Sequence, residues 1–315
     1  MDWEKRNITL AFKFGEFVLA KVRLQALVNN LHFSEIALDS YNKPPSEELK
    51  EANIDLALIR SCPVSKNPPF FSRIKDFIRY VPYRYNRFYI VKSGSFDQFL
   101  KEMDHKSRYN LLREVRLFKD LSNGQIKWRE YGYPHEIDEF YDYARQISKK
   151  TYQERLLSHG FPDTEEFRDD LRRSSENNSV RGYVLFRNEL PIAYAYIPIR
   201  NGRIMMYEFI GYDPEYKKWS AGTILQYLII EKFFSDGEFE MFDFEEGEGA
   251  HKESLATDFR LCADIYFFKF TLKNSLLIFS HFLLGALSRF VVKAIELVGL
   301  KASVKRAIRK AHEHK

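Results

Sequence analysis

The stretch covering residues 206–257 constrains the fold more than any other part of this chain. Its pattern predicts a strand, a polar loop, an apolar helix that ends at Gly237, and a second strand. The loop over residues 212–223 enters the helix through three small residues, Ser220, Ala221 and Gly222. The free N–H groups and the positive dipole end of such a helix start suit a phosphate or pyrophosphate.

Two interpretations of this helix start stay open at this point. Lys217 and Lys218 lie in the loop and would add positive charge next to a bound anion. Serine and glycine are also good helix caps in general, so small residues alone do not identify a ligand site. Other features of the sequence must therefore support an anion-binding role.

Composition places the chain among folded proteins. Its 315 residues, 45% hydrophobic and 30% charged, suffice for one large or two ordinary domains. Much of the formal net charge of +5 lies in residues 301–315, so we expect no nucleic-acid-binding surface over the whole body. Cys62 and Cys262 show neither a disulfide framework nor metal-ligand spacing. We therefore expect a cytoplasmic protein without a metal site.

The two ends of the chain bear on membranes. The N-terminus lacks the apolar segment of a secretory signal. The longest apolar run, residues 276–287, is interrupted by Ser280 and His281 and is shorter than the ~20 residues of a membrane span, so no span is predicted. Residues 271–315 read as amphipathic basic helices, which pack on the core or form a peripheral contact with an anionic membrane.

Periodicity and capping signals predict alternating strands and helices. Strands are predicted at residues 8–20, 55–60, 81–91, 126–131, 183–187, 192–199 and 203–210, with a helix as the alternative for the first. Helices are predicted after the capping signals at Ser95, Asp104 and Asp163, and at residues 136–148 and 223–234. The prolines of residues 63–69 mark a connection.

The helix after Asp104 is strongly cationic. Apolar residues of one face alternate with the basic residues His105, Lys106, Arg108, Arg113 and Arg116. Such a face is either solvated or forms the wall of an anion-binding groove.

The order of several motifs resembles a known family. They are Y-D-P-E-Y (212–216), S-A-G-T (220–223), F-D-F (242–244) with Gly247, and His251-Lys252, after D-H-K-S-R-Y-N-L-L-R-E-V-R-L-F (104–118), S-K-K-T-Y-Q (148–153) and E-L-P-I-A-Y (189–194). This order over residues 85–270 is similar to the GNAT-fold acetyltransferases of the cellulose-biosynthesis type, also called the BioF2-like acetyltransferase domain, which resemble Fem-type peptidyltransferases. The sequence departs from the family at Ala221, where proline is usual, and at His251, where an aromatic residue is usual.

The resemblance implies an α/β (α+β) GNAT fold and acyl transfer from acetyl-CoA to an amine. It implies a reduced GNAT-like half over residues 1–84, a complete GNAT domain over 85–270 and a helical tail over 271–315. The pyrophosphate of coenzyme A would lie on the loop and helix start, which comprise Lys217, Lys218, Trp219, Ser220, Ala221, Gly222 and Thr223.

Acyl transfer needs a base for the amine proton and a donor for the leaving thiolate. Glu208, at the end of the strand before the loop, is the base candidate, and an ion pair with an arginine of the basic helix is the alternative. Asp243 is expected to face the cleft and position the amine. His251, Lys252 and His105 are further candidates. The acidic loop with Glu245, Glu246 and Glu248 would attract a cationic amine or is a solvated turn.

We therefore expect an N-acyltransferase acting on an amine of a sugar, a nucleotide-sugar or a cell-envelope precursor. Its partner would be a small-molecule acceptor and not a nucleic acid, with a peripheral membrane contact through the tail. Two alternatives remain, a Fem-like transferase that uses aminoacyl-tRNA and a non-catalytic partner of a polysaccharide-synthesis complex. The acceptor, the acyl length and the oligomeric state are not encoded in readable motifs.

Overall fold

The computed structural model describes residues 3–15, 17–30, 43–64, 68–151, 160–246 and 249–297. The chain forms two compact units. One comprises the residues up to Arg84 together with those from Leu261 onward, and the other comprises Tyr85–Arg260.

The elements alternate along the chain as follows. The strands are β1 Glu4–Phe14, β2 Phe17–Asn30, β3 Leu56–Pro63, β4 Phe71–Ile74, β5 Phe77–Val91, β6 Lys127–Tyr131, β7 Val180–Arg187, β8 Leu190–Arg200, β9 Ile204–Met206, β10 Phe209–Tyr212, β11 Met241–Asp243 and β12 Asp258–Lys269. The α-helices are α1 Ser46–Ala52, α2 Phe96–Glu102, α3 His105–Leu121, α4 Ile137–Ser148, α5 Glu165–Glu176, α6 Ala221–Ser235, α7 Ala250–Leu255 and α8 Leu272–Leu297. A 3₁₀ helix covers Pro214–Trp219.

The first unit is built on a long hairpin. β1 and β2 pair antiparallel up to Phe14 and Phe17, with Gly15 at φ 59° in the turn, a backbone conformation that glycine adopts without strain. The strand predicted over residues 8–20 is therefore two strands. β3 pairs parallel with β2 and antiparallel with β12. α8 packs on β1 and belongs to this unit.

The second unit has a sheet buried on both faces. β7 pairs with β6 and β8, and β8 also pairs with β9 and β10. Along β8, Ala195 and Ile197 pack in the cluster that includes α6, whereas Tyr194 and Tyr196 pack in the cluster that includes α4. Because side chains alternate along a strand, helices cover both faces and no side of β8 meets water.

Of the three helix starts predicted from capping signals, those at Ser95 and Asp104 are confirmed. Ser95 and Gln98 form the predicted capping box, and the Asp104 carboxylate accepts a hydrogen bond from Ser107 N. Asp163, however, was wrongly predicted as a cap. The Thr164 side chain caps α5 instead, since the Asp163 carboxylate pairs with Arg145 at 2.7 Å.

The C-terminal helix is longer than its apolar run. α8 continues through Ser280 and His281, and its segment Leu272–Val291 is long and apolar enough to cross a membrane by length and composition. Ser280 and His281 thus do not interrupt the helix, contrary to the sequence interpretation, whereas the absence of a membrane span stays a prediction. Of the predicted motif residues, Tyr152, Gln153, Gly247, Glu248 and the tail 298–315 lie outside the described residues.

Gly182 in β7 tests the packing between the sheet and α4. A Cβ atom there would lie 2.4 Å from Cγ of Phe140, which is fully buried. We expect Gly182→Ala to lower the free energy of unfolding by about 1–3 kcal/mol, because the buried ring cannot move away cheaply. Chemical unfolding followed by circular dichroism measures this. Gly237→Ala is the control, since a Cβ there has no neighbour within 4 Å, and equal effects of both changes would contradict the packing argument.

Candidate active site

Two neighbouring parallel strands separate at the centre of the second unit. β9 pairs with β11 from Ile204 and Met241 to Met206 and Asp243. Tyr207 N still donates to Asp243 O at 2.9 Å, but Glu208 N donates to Tyr196 O on β8 at 3.3 Å.

Beyond this point each segment keeps only its outer neighbour. β10 pairs with β8, as β9 does, and Phe244 N donates to Phe88 O of β5 at 3.1 Å, which continues the pairing of β11 with β5. β10 and the residues after β11 therefore do not pair with one another. The predicted strand over residues 203–210 is thus two strands, with Glu208 at the break.

Hydrogen bonds of Asp213 fix the start of the loop after β10, and the backbone conformation of Ser220 directs its end into α6. The Asp213 carboxylate accepts from Glu215 N at 3.1 Å and from Lys150 Nζ at 2.7 Å, which fixes the start of the 3₁₀ helix. Ser220 follows in the left-handed conformation, φ 53° and ψ 37°, and turns the chain into α6. The Ser220 side chain makes no capping hydrogen bond. The first-turn N–H groups of α6 therefore face their surroundings without a serine cap.

Some of the residues predicted to bind coenzyme A are buried and support the loop, and others are exposed. Trp219 is half-buried and stacks under Arg187, whose Cζ lies 3.9 Å from the ring centroid. Ala221 is fully buried. Gly222 lies under Tyr212, since a Cβ atom would be 3.2 Å from the tyrosine ring. Lys217 and Lys218 are exposed, and Thr223 is half-buried in the first turn.

This arrangement fits a pyrophosphate. An uncapped helix start, small residues beside it and two exposed lysines provide N–H donors and positive charge at one place. α3, the cationic helix, contacts the 3₁₀ helix of the same loop.

A buried ion pair lies where the strands separate. Arg87 Nε donates to the two carboxylate oxygens of Asp243 at 3.0 and 2.9 Å, and Arg87 Nη2 lies 2.8 Å from Asp243 Oδ2. The two side chains are only 4% and 1% exposed. Burial by itself would lower the pKa of Arg87, but the charge of Asp243 and then that of Glu245 raise it above its usual value. Asp243 therefore does not face an open cleft, contrary to expectation, because Arg87 occupies its carboxylate.

Glu245 joins this pair, and its side chain is 27% exposed. Its carboxylate lies 3.2 Å from Arg87 Nη2, and its backbone N donates to Asp243 Oδ1 at 2.8 Å. Loss of water around it raises the pKa of Glu245 to about 7, against the lowering effect of Arg87. The residue also has φ 60°, a conformation that costs a non-glycine residue on the order of 1 kcal/mol and recurs at functional sites.

Glu208 lies between β9 and β10, where the pairing of β9 with β11 stops. The negative charge of Glu208 contributes to the raised pKa of Glu245. Although Glu208 retains an exposed surface, nearby protein excludes water from the carboxylate and raises its pKa, while Arg200 opposes this shift. The opposing charge thus comes from β8 and not from the cationic helix.

The remaining candidates are Lys252, His251 and His105, and they differ in their interactions with the carboxylates of Asp243 and Glu245. Lys252 Nζ donates to Glu246 O at 2.6 Å, and burial lowers the pKa of Lys252 while Glu245 and Asp243 oppose the shift. His251 is the neighbouring residue and keeps an exposed surface. The pKa of His251 is lowered, first because protein around the ring excludes water and second because of the positive charge of Lys252. His105 is exposed at the start of α3, and in the described ranges no hydrogen bond or ion pair joins it to the carboxylates.

Arg87 was missed by the sequence reasoning. Its signal was a charged residue within the aromatic, buried end of β5, Phe88 to Ile90. A charge in such a strand requires a buried partner, and Asp243 on the neighbouring strand is that partner.

Residues 105–253 match the family model described as an acetyltransferase (GNAT) domain. Among solved structures, FemX is similar with a TM-score of 0.52 and 11% identity, over 88% of this chain and 90% of that chain. The chain carries a GNAT acetyltransferase-like domain. The GNAT fold predicted from the sequence is thereby confirmed, and the likeness to FemX extends beyond this domain.

Two further solved structures have lower TM-scores. L-PGS from Bacillus licheniformis has a TM-score of 0.48 and 12% identity, over 88% of both chains. The ribosomal-protein-S18-alanine N-acetyltransferase from Escherichia coli has a TM-score of 0.29 and 16% identity, over 46% of this chain and 96% of that chain. A comparison with curated proteins finds no match. The narrower resemblance to the cellulose-biosynthesis type stays a prediction.

The buried pair in the GNAT-like domain makes a stability prediction. We expect Arg87→Met to lower the free energy of unfolding by about 3–5 kcal/mol, because Asp243 would remain buried without its partner. Thermal and chemical unfolding measure the change. Arg203→Met is the control, since Arg203 and its partner Glu240 are both exposed, and such pairs contribute no more than about 1 kcal/mol. A similar small loss for both variants would contradict the structural role of Arg87.

Proposed function

We propose that the GNAT-like domain transfers an acyl group, acetyl in the first instance, from coenzyme A to a primary amine. One observation carries the proposal. Glu208 lies directly before β10, Glu245 lies two residues after β11, and the uncapped start of α6 follows β10 through the 3₁₀ helix. The proposed phosphate-binding and proton-accepting groups thus belong to the chain segments on either side of this strand separation.

The helix start binds the donor. The first-turn N–H groups of α6 hold the pyrophosphate, and the exposed Lys217 and Lys218 add positive charge. The pantetheine arm then extends between β10 and the end of β11, where the backbone groups of the two strands do not pair with one another.

The carboxylates serve the acceptor. Glu208 attracts the ammonium form of the amine, which gives up one proton to bulk water as it enters the site. The neutral amine nitrogen attacks the thioester carbonyl, and Glu245 accepts the second proton that this nitrogen then loses. The new N–C bond forms, the C–S bond breaks, and the thiolate leaves with a proton that we assign to Lys252, the cation next to Glu245. Asp243 acts through Arg87, which holds the Glu245 carboxylate at 3.2 Å.

The acceptor class and the alternatives rest on resemblance. An amine of a sugar, a nucleotide-sugar or an envelope precursor follows from the family resemblance, as does the role in polysaccharide biosynthesis. Similarity to FemX over 88% of this chain supports a Fem-like donor as the second candidate. Release of coenzyme A from acetyl-CoA in the presence of amines supports the first candidate, and acyl transfer only from aminoacyl-tRNA supports the second. Binding of acetyl-CoA without turnover would indicate a non-catalytic partner.

A substitution at Thr223 separates helix stability from anion binding. Glutamate in the first turn favours a helix dipole by about 0.3–1 kcal/mol but repels a pyrophosphate at the same place. We expect Thr223→Glu to leave the fold equally or more stable and to weaken coenzyme A binding about five- to tenfold. Calorimetry measures the affinity, with the uncharged Thr223→Gln as the matched control. Unchanged affinity in the glutamate variant would place the pyrophosphate elsewhere.

The pH dependence of turnover distinguishes the two carboxylates. Only the unprotonated carboxylate accepts a proton, so kcat/KM should rise with pH through about 7, the pKa of Glu245. We expect Glu245→Gln to remove this rise together with ~100-fold or more of the rate.

The matched variant Glu208→Gln gives a different result under the same assignment. It should move the rise to lower pH, because the negative charge of Glu208 contributes to the raised pKa of Glu245. If Glu208→Gln instead abolishes the rise and Glu245→Gln retains it, Glu208 is the base. Intact amine acetylation in both variants would exclude either role.

A further inference from the structure

Helix α8 in the first unit presents an apolar stripe to its surroundings. Its members recur every three or four residues, and each keeps more than half of its surface exposed: Leu272, Leu276, Phe279, Leu283, Leu287 and Phe290. A surface helix of a globular protein normally turns polar residues outward. An exposed apolar patch of this kind marks an interaction surface for a protein or a membrane.

Polar residues of the same helix face inward. His281 Nδ1 lies 2.6 Å from the hydroxyl oxygen of Tyr80, and Ser288 Oγ accepts a hydrogen bond from Gly15 N at 2.7 Å. Both residues are buried, together with Ile278. The docking face of α8 thus combines these polar groups with the apolar residues Leu277, Ile278 and Phe282, and the apolar stripe lies outside it.

The hairpin tip adds to this surface. Gly15 in the β1–β2 turn is bonded to Ser288 near the end of α8. Val18 and Leu19, just after the turn, are 42% and 62% exposed. Apolar side chains thus continue from the helix to the neighbouring hairpin.

Positive charge without acidic partners lies next to the stripe. A cavity of about 50 Å³ is lined in part by Lys13, Arg289 and His281. Arg84 and Arg289 both lie against Phe70, with Cζ atoms 4.0 and 5.7 Å from the ring centroid. In the ranges that the structure describes, no ion pair joins these cations to a carboxylate.

The two arginines also repel one another. The pKa of Arg84 is lowered by burial and then by the positive charge of Arg289. Arg84 Nε is buried without a hydrogen-bond partner in the described structure. An anion between these side chains would relieve both costs.

We propose that α8 lies in the plane of an anionic phospholipid bilayer, with its apolar stripe among the acyl chains and a lipid phosphate held by Lys13, Arg84 and Arg289. An in-plane position follows because one side of α8 packs on β1 and cannot be surrounded by lipid. This inference does not depend on acyl transfer.

Charge favours a bilayer over a second copy of the chain. Residues 272–297 carry Lys273, Arg289 and Lys293 against Glu296, and residues 298–315 carry six Lys or Arg against one Glu. Two copies paired through α8 would bring these like charges together, whereas anionic lipids neutralise them.

Sedimentation of the full chain with liposomes tests the proposal. We expect binding to phosphatidylcholine vesicles containing phosphatidylglycerol and much weaker binding to phosphatidylcholine alone. The variant with Leu276→Ser, Phe279→Ser and Leu283→Ser should bind at least about tenfold more weakly. Arg289→Gln should lose about fivefold, the effect of one basic residue near an anionic surface. Point substitutions are preferable to removal of α8, which would uncover β1.

Matched controls come from the second unit. Leu117, Leu121 and Leu190 are similarly exposed, and their joint change to serine should leave liposome binding unchanged, as should Arg203→Gln. Equal binding of the α8 triple variant and the native chain would overturn the proposal. So would light scattering that shows a lipid-free dimer which the triple variant dissolves, since a second copy would then cover α8. Binding of inorganic phosphate without any preference for anionic vesicles would also overturn it.

Discussion

The buried pair of Arg87 and Asp243 is the interaction on which the geometry of the site depends. Two charges removed from water are tolerated only with close, well-directed partners, so each restricts the position of the other. Asp243 ends β11 at the point where the parallel pairing with β9 stops. The pair thereby fixes the edge of the opening and, through Arg87, the position of the Glu245 carboxylate.

The opening itself results from competition for backbone hydrogen bonds. β8 is long enough to pair with β9 at one end and with β10 at the other. β10 stays with β8, and Phe244 continues the pairing of β11 with β5 through Phe88. The two strands separate here, and this is the place where we propose that the donor binds. The strained backbone of Glu245 lies at this point.

The two units carry different kinds of surface group. The second unit has helices on both faces of its sheet and carries the carboxylates and the helix start that we propose to bind an anion. The first unit holds α8, which buries His281 and Ser288 and exposes an apolar stripe. We propose acyl-transfer chemistry for the second unit and attachment to a lipid surface for the first, and neither proposal requires the other.

Local patterns in the sequence determined most elements, among them the loop and helix start that we propose to bind an anion. Ser95 and Asp104 located helix starts, and the small residues at 220–222 located the start of α6, because capping and periodicity are local properties. Only the tertiary structure decided that Asp243 is buried against Arg87 and that Glu245 contacts the same arginine. It also decided that His281 is buried against Tyr80, so that the exposed stripe of α8 consists of apolar residues. These outcomes depend on contacts between residues that are distant in sequence, and burial and pKa follow from such contacts rather than from residue order.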